Sequence, residues 1–177
     1  QGVSSAASDV YKRQPQQKDS LSAETSYLFS AITALAPHLK SHSVVVGKST
    51  VPVGTAELLT KELAELTSTE VHLAWNPEFL REGTALADSL RPDRLVVGVA
   101  DDYSEKKLRE VFEPMIASGV PFLVTDIPTA ELVKAAANAF LATKISFINA
   151  MAEIAEVSGA DASMLAEAIG YDERIGN

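Results

Sequence analysis

Apolar residues recur along the chain with two periods, and the alternation between those periods sets out the elements. Leu21, Leu28, Ile32, Leu35 and Leu39 follow helical spacing, with Ser20 or Ser22 as the cap, until Pro37 and Lys40 weaken the pattern. Val44, Val45 and Val46 form a β-branched run that predicts a strand buried on both faces. Thr55 to Leu66 returns to helical spacing through Leu58, Leu59, Leu63 and Leu66, with Thr55 as N-cap and Glu57 in the first turn. A second strand is predicted over Val71 to Trp75, ended by Asn76 and Pro77, and a short helix over Thr84 to Leu90. Leu95 to Val99 reads as a third strand, Ser104 to Ile116 as an amphipathic helix and Val120 to Val124 as a fourth strand. Residues Thr129 to Ser158 carry neither Gly nor Pro and read as one long helix, with Thr129 as N-cap and Gly159 as its stop; Asp161 caps a last short helix ending near Gly170. This order predicts an α/β fold with a parallel sheet and helices on both faces.

The long helix has a chemically unusual face. On a helical wheel with Lys134 at zero, Asn138, Leu141, Ile145, Ile148 and Ala152 fall within roughly 40° of it, so an amine and an amide share an apolar stripe. A second stripe runs through Val133, Phe140, Phe147, Met151 and Ile154, so protein is expected over much of the circumference. Covered polar groups are costly without partners, so Lys134 either snorkels to water or meets a ligand, and Asn138 either caps a neighbouring backbone or does the same.

Charge and composition narrow the chemistry. A formal net charge of −9 argues against nucleic acid as a partner. The sequence contains no cysteine, which removes disulfides, thiolate metal sites and thiol nucleophiles from these residues. His38, His42 and His72 show no metal-ligand spacing, and no metal site is expected from them. No apolar run matches a membrane span or a signal-peptide core, and a cytoplasmic location is the expectation. Residues 1–14 are Ser-rich with no sustained apolar period, and are set apart as an unassigned or foreign lead.

In a parallel sheet, ligands gather outside the carboxyl ends of the strands. Ser49 and Thr50 follow the first strand, Asn76, Glu78 and Glu82 the second, and Thr125 and Asp126 the fourth, so three strand ends are expected to meet at one crevice. Gly47, Lys48, Ser49 and Thr50 imitate the end of a P-loop, but its first glycine would fall at His42 and the phosphate-wrapping loop is replaced by the valine strand; an NTPase is excluded. Glu78 and Glu82, four apart beside Phe79 and Leu80, suit proton transfer, because desolvation raises a carboxylate pKa. The plain alternative is surface pairing with Arg81 or Arg91. No GxGxxG dinucleotide fingerprint occurs in the sequence.

From about Pro15 to Asn177 the series PQQ, KSTVPVGT, WNPEFLREGTA, PDRLVVGV, ELVKAAANAFLATKISFINAMAEI and AIGYDERIGN resembles the UDP-glucose 6-dehydrogenase family, within the broader nucleotide-sugar dehydrogenases. The resemblance implies the second half of an NAD-binding Rossmann-like domain over residues 15–128. It also implies a central dimerisation helix with a following helical segment over 129–177. The implied activity is oxidation of the C6 alcohol of a UDP-sugar to a carboxylate, using NAD twice and passing through a cysteine thioester. It assigns Glu78 as general acid/base for thioester hydrolysis, Thr50 as a positioner of the attacking water, and Lys134 with Asn138 as stabilisers of the developing oxyanion. Ser49, Thr50, Val51 and Glu82 are implied contacts of NAD. The backbone of Glu78, Phe79, Leu80, Arg81 and Glu82 is implied to touch the sugar nucleotide, and Arg174 to reach into the pocket of a neighbouring subunit of a homodimer. The glycine-rich loop of that pattern would precede Pro15, and its nucleophilic cysteine would follow Asn177, so turnover is not expected of these residues alone. Two other readings stay open: a sibling enzyme acting on GDP-mannose or a UDP-N-acetyl sugar, and a non-catalytic dimerisation or binding module.

Overall fold

In a computed structural model of the chain, residues 25–81 and 83–176 are described. The lead over 1–14, the caps at Ser20 and Ser22, and Glu82 lie outside them. The elements are α1 (Ser26–Leu35) with a 3-10 turn (Ala36–His38), β1 (Ser43–Gly47), α2 (Thr55–Leu66), β2 (Val71–Trp75) and α3 (Ala85–Leu90). They continue as β3 (Leu95–Gly98), α4 (Asp102–Ala117), β4 (Phe122–Thr125), α5 (Ile127–Ser158) and α6 (Ala162–Gly170). The chain forms two compact units, one through Ala135 and one from Ala136, with the boundary inside α5. Among the described residues no helix is long and apolar enough to cross a membrane.

The period-2 alternation of the strands sorts their side chains onto two cores within the first unit. Val45, Leu73, Trp75 and Val96 face α1, α2 and the start of α5, where Ile32, Leu59, Leu63 and Ala130 meet them. Val44, Val46, Ala74 and Val97 face α4 through Leu108 and Phe112. β1 is only half-buried, short of the fully buried strand its valines predict, because it stands at the edge of the described sheet.

The sheet order is β1-β2-β3-β4, mostly parallel, with one reversal. β1 pairs parallel with β2 and β3 with β4, but β2 meets β3 antiparallel, through Trp75 and Gly98. The connection between them contains only six-residue α3, which rises about 9 Å against about 17 Å for β2, and the chain enters β3 from the opposite side of the sheet. The result is a single cross-sheet row, Gly47, Trp75, Gly98 and Thr125, in which all four strands end. Chain leaving β1 and β2 continues to one side of that row, and chain leaving β4 to the other.

Gly47 sits in this row because Trp75, fully buried, fills the space where its Cβ would stand. Gly47→Ala is expected to lower stability by about 1–3 kcal/mol through overpacking. The midpoint of urea unfolding measures this, and an unchanged midpoint would show that the indole can move aside.

Two caps differ from the sequence expectation. α5 starts two residues early because the Asp126 carboxylate, not Thr129, does the capping, accepting from the Thr129 amide at 2.7 Å and its hydroxyl at 3.0 Å. These two bonds hold the Asp126 carboxyl below the usual carboxylate range. α2 takes Gly54, at φ 95°, as its N-cap residue, while the Thr55 hydroxyl turns back to the Pro52 carbonyl at 2.6 Å. Asp161 caps α6 as its sequence position predicts, accepting from Ser163 and Met164.

Candidate functional site

The loop leaving β1 is held at three points. The Trp75 indole donates to the Ser49 carbonyl at 3.2 Å, and Val51 is sunk into the core at 4% exposure. Beyond Val51 the chain meets Glu131, whose carboxylate accepts from the Gly54 and Ala56 amides, both at 2.7 Å. Ser49 is half-buried and Thr50 exposed, so the Thr50 side chain stands outward from a fixed backbone. Glu131 reads in the sequence as an ordinary first-turn acid; its contact with α2, more than seventy residues away along the chain, carries no local signature. At 1% exposure it ties the second turn of α5 to the amide-rich start of α2, where negative charge is favoured. Lys134 is one helical turn further on.

Beyond β2, Asn76 is buried and fully engaged. It donates to the Val96 carbonyl at 2.8 Å and accepts from the Lys48 ammonium at 2.8 Å. These bonds aim Pro77 to Leu80 along β3 and place Glu78 between two lysines. Glu78 favours the charged form of both Lys48 and Lys134, while burial, the larger effect in each case, pulls both amines below the ordinary lysine range. Arg94 repels Lys134 and lowers it further. Phe79 is the shared floor: the Arg94 guanidinium lies 4.2 Å and the Lys134 ammonium 5.3 Å from its ring centroid. A cavity of about 230 Å³ opens beside Glu78, lined by Lys48, Asn76, Phe79, Asp93 and Arg94 among others.

Arg81 does not pair with Glu78. Its guanidinium forks onto Asp88 at 2.6 and 3.1 Å, and Asp88 also accepts from the Arg81 amide and the Thr84 hydroxyl. This closes the turn after Leu80 and holds Asp88 well below the usual carboxylate range.

The structure thus brings Glu78, Phe79 and Lys134 together and adds Lys48, Asn76 and Arg94. Of these three, Asn76 reads in the sequence only as a strand-end residue, Lys48 only as part of a P-loop imitation, and Arg94 carries no local signal. Thr125 and Asp126 do not join them, because the reversal of β3 and β4 sends the end of β4 away from Glu78 and Asp126 is occupied as a cap. Asn138 and Arg174 belong to the second unit, where both are exposed, and Arg174 chelates Asp172 at 2.6 to 3.2 Å. The covered circumference expected for α5 is not provided by the described residues: Phe140, Leu141, Ile145, Phe147 and Ile154 are each more than half exposed.

Residues 11–116 match the UDP-glucose/GDP-mannose dehydrogenase family, NAD binding domain, and residues 128–177 match its central domain. Among curated relatives, UDP-glucose 6-dehydrogenase YwqF of Bacillus subtilis is 47% identical over 167 residues, covering 92% of this chain and 37% of that protein. UDP-glucose 6-dehydrogenase of Rickettsia typhi is 45% identical over 154 residues, covering 87% of this chain and 35% of its own length. The chain therefore spans little more than a third of these relatives. Among solved structures, a UDP-glucose dehydrogenase from Pyrobaculum islandicum superposes with a TM-score of 0.86 at 40% identity, over 92% of this chain and 38% of the other. A GDP-mannose dehydrogenase from Pseudomonas aeruginosa gives 0.81 at 25% identity, over 90% of this chain and 38% of the other.

Proposed function

The chain belongs to the UDP-glucose/GDP-mannose dehydrogenase family, and from that premise we propose that it is the catalytic middle of an NAD-dependent dehydrogenase oxidising UDP-glucose to UDP-glucuronate. The observation that carries the reading is the group around Glu78: two carboxylates, Glu78 and Asp93, among three cations, Lys48, Arg94 and Lys134, on an aromatic floor beside a cavity, with Asp88 already neutralised by Arg81. In a chain of net charge −9, such a local excess of positive charge suits an anionic substrate, and a nucleotide sugar carries its charge on a diphosphate. The relatives at 40% identity and above favour UDP-glucose among nucleotide sugars.

The chain's own residues divide the work. Lys134, drawn out of water, stabilises negative charge developing on the substrate oxygen, where a desolvated cation acts most strongly. Glu78 moves the proton at the hydrolytic water, and Thr50, exposed on its fixed turn, positions that water. Asn138, one turn beyond Lys134, is assigned to the same oxygen. Ser49, Thr50, Val51 and Glu82 are assigned to NAD, which supplies the hydride acceptor when bound. The described turn fits that part of a cofactor, with Val51 buried and Thr50 displayed, whereas no GxGxxG loop for its pyrophosphate is present in the sequence. The nucleophilic thiol of the reaction is assigned to sequence outside these residues.

The exposed apolar residues of α5 are assigned to a second copy of the protein, with Arg174 reaching the neighbouring pocket. Sedimentation equilibrium of the full-length protein is expected to report a dimer or a multiple of it, and a stable monomer would contradict this assignment.

The reading is tested by Glu78→Gln in the full-length protein supplied with NAD and UDP-glucose. Acyl-enzyme is expected to accumulate and to appear in the intact mass, because the proton transfer that completes hydrolysis is lost. Normal turnover with no added mass would remove Glu78 from the mechanism. Oxidation of GDP-mannose in preference to UDP-glucose would instead reassign the substrate.

A further inference from the structure

At the amino ends of the strands, away from Glu78, the turns entering β1 and β2 bring two histidines and a glutamate together. Parallel pairing sets Ser43 opposite Val71, and the His42 amide donates to the Glu70 carbonyl at 2.7 Å. The side chains converge on the same spot. His42 Nδ1 lies 3.5 Å from one Glu70 oxygen, and His72 Nε2 lies 3.7 Å from the other. One ligand atom from each of the three residues falls within 4.8 Å of the others.

Three features separate this cluster from a chance meeting of surface side chains. The first is the orientation of His72. Its Nδ1 is 3.0 Å from the Asp101 carboxylate, which is itself fixed by the Ser104 amide at 2.8 Å and the Ser104 hydroxyl at 3.1 Å. A carboxylate only accepts, so Nδ1 donates, and in the neutral ring Nε2 then carries a lone pair. That is the arrangement by which a carboxylate orients a metal-binding imidazole.

The second is the condition of Nε2, which is buried and has no hydrogen-bond partner. It faces the Glu70 carboxylate, so a lone pair and an anion point at each other, and the gap calls for a positive centre. The third is the backbone of His42, which at φ 62° is the one non-glycine residue in the left-handed region among those described. This costly conformation brings its ring centroid to 6.1 Å from that of His72, while the Tyr103 ring packs 4.9 Å from His72.

We propose that His42, Glu70 and His72 form a binding site for a divalent transition metal of the zinc class, with Asp101 orienting His72 and the remaining position open to solvent. Two imidazoles and one carboxylate favour zinc, cobalt or nickel over calcium and magnesium. Tetrahedral zinc with bonds of about 2.0–2.1 Å requires ligand atoms about 3.4 Å apart, so the two imidazoles, which approach different Glu70 oxygens at 3.5 and 3.7 Å, close onto one shared position when the ion binds. The site clamps the entries of two neighbouring strands, so its effect falls on stability rather than on the chemistry at Glu78. Linear spacing hides it, because His42 and His72 are thirty residues apart and meet only through strand pairing.

The rival occupant of the gap is a proton, which would make His72 an imidazolium between Glu70 and Asp101. Calorimetric titration of the tag-free, chelator-treated chain with zinc chloride separates the two. One-to-one saturable uptake is expected, with a rise in Tm, and cobalt chloride is expected to develop a visible absorption band. His42→Ala and His72→Ala should each weaken zinc binding at least tenfold, and His38→Ala should leave it unchanged. The His42 side chain is more than half exposed, so its replacement leaves the fold intact and its result stands even if His72→Ala unfolds. Absence of saturable zinc uptake, or uptake that survives His42→Ala undiminished, would overturn the proposal and give the gap to the proton.

Discussion

Lys134→Ala in the full-length enzyme is expected to lower kcat by about 10²–10³-fold while changing nucleotide-sugar affinity far less, in line with the loss of one donor aimed at a developing oxyanion. The reason lies in where the charge sits. The ammonium is half-buried over Phe79 and faces Glu78, so water screens it weakly, and its interaction grows as the substrate oxygen becomes anionic. The pH profile provides an independent check. Burial lowers the Lys134 pKa, Glu78 partly restores it and Arg94 lowers it again. The active form is protonated, so kcat is expected to fall as pH rises through this lowered pKa, on the acid side of the ordinary lysine range, and Lys134→Ala should lose that descending limb. A variant with unchanged kcat would remove Lys134 from the chemistry.

Glu131→Ala carries the second large effect, on stability. It deletes a carboxylate that is 1% exposed and strips the Gly54 and Ala56 amides of their acceptors. Each stranded donor costs about 1–3 kcal/mol, so the variant is expected to lose about 2–6 kcal/mol, measured on this chain by urea unfolding. Glu131→Gln keeps one acceptor oxygen and should lose less. The consequence for the site follows from geometry, because Glu131 and Lys134 are neighbouring turns of α5. When the tie to α2 is cut, the amine is no longer held over Phe79, and the loop carrying Ser49 and Thr50 loses its far anchor. A full-length Glu131→Gln enzyme is accordingly expected to show reduced kcat with its fold retained. An unchanged unfolding midpoint in Glu131→Ala would show that the two amides find other partners.

Local chemistry was legible in the sequence wherever a single element decided it. β2 falls on its predicted residues because turn formers close a short run in which only His72 is polar. α5 is recognisable from thirty residues without Gly or Pro, and Asp161 from its place before α6. The pairing of Lys134 with the Glu78 turn came from linked motifs, and the two meet over Phe79. What the sequence concealed depends on contacts between distant segments. The reversal at β3 is a pairing between segments far apart in the chain, and it removes Thr125 and Asp126 from the crevice. Lys48 looks like a failed P-loop residue until Asn76 accepts its hydrogen bond, and Glu131 looks like a surface acid until α2 arrives above it. Asp126 displaced Thr129 as the cap because a carboxylate reaches the Thr129 amide and hydroxyl together.

The account rests on Glu78 and Lys134 sharing one electrostatic environment. Nitrogen-15 NMR titration of the lysine side chains, in the native chain and in Glu78→Gln, tests this without any turnover. Removing the Glu78 charge takes away the influence that raises both amines, so the Lys134 and Lys48 titrations are predicted to move to still lower pH. A Lys134 titration that stays where it was would show that the two groups do not face one another, and the proposed site would not stand.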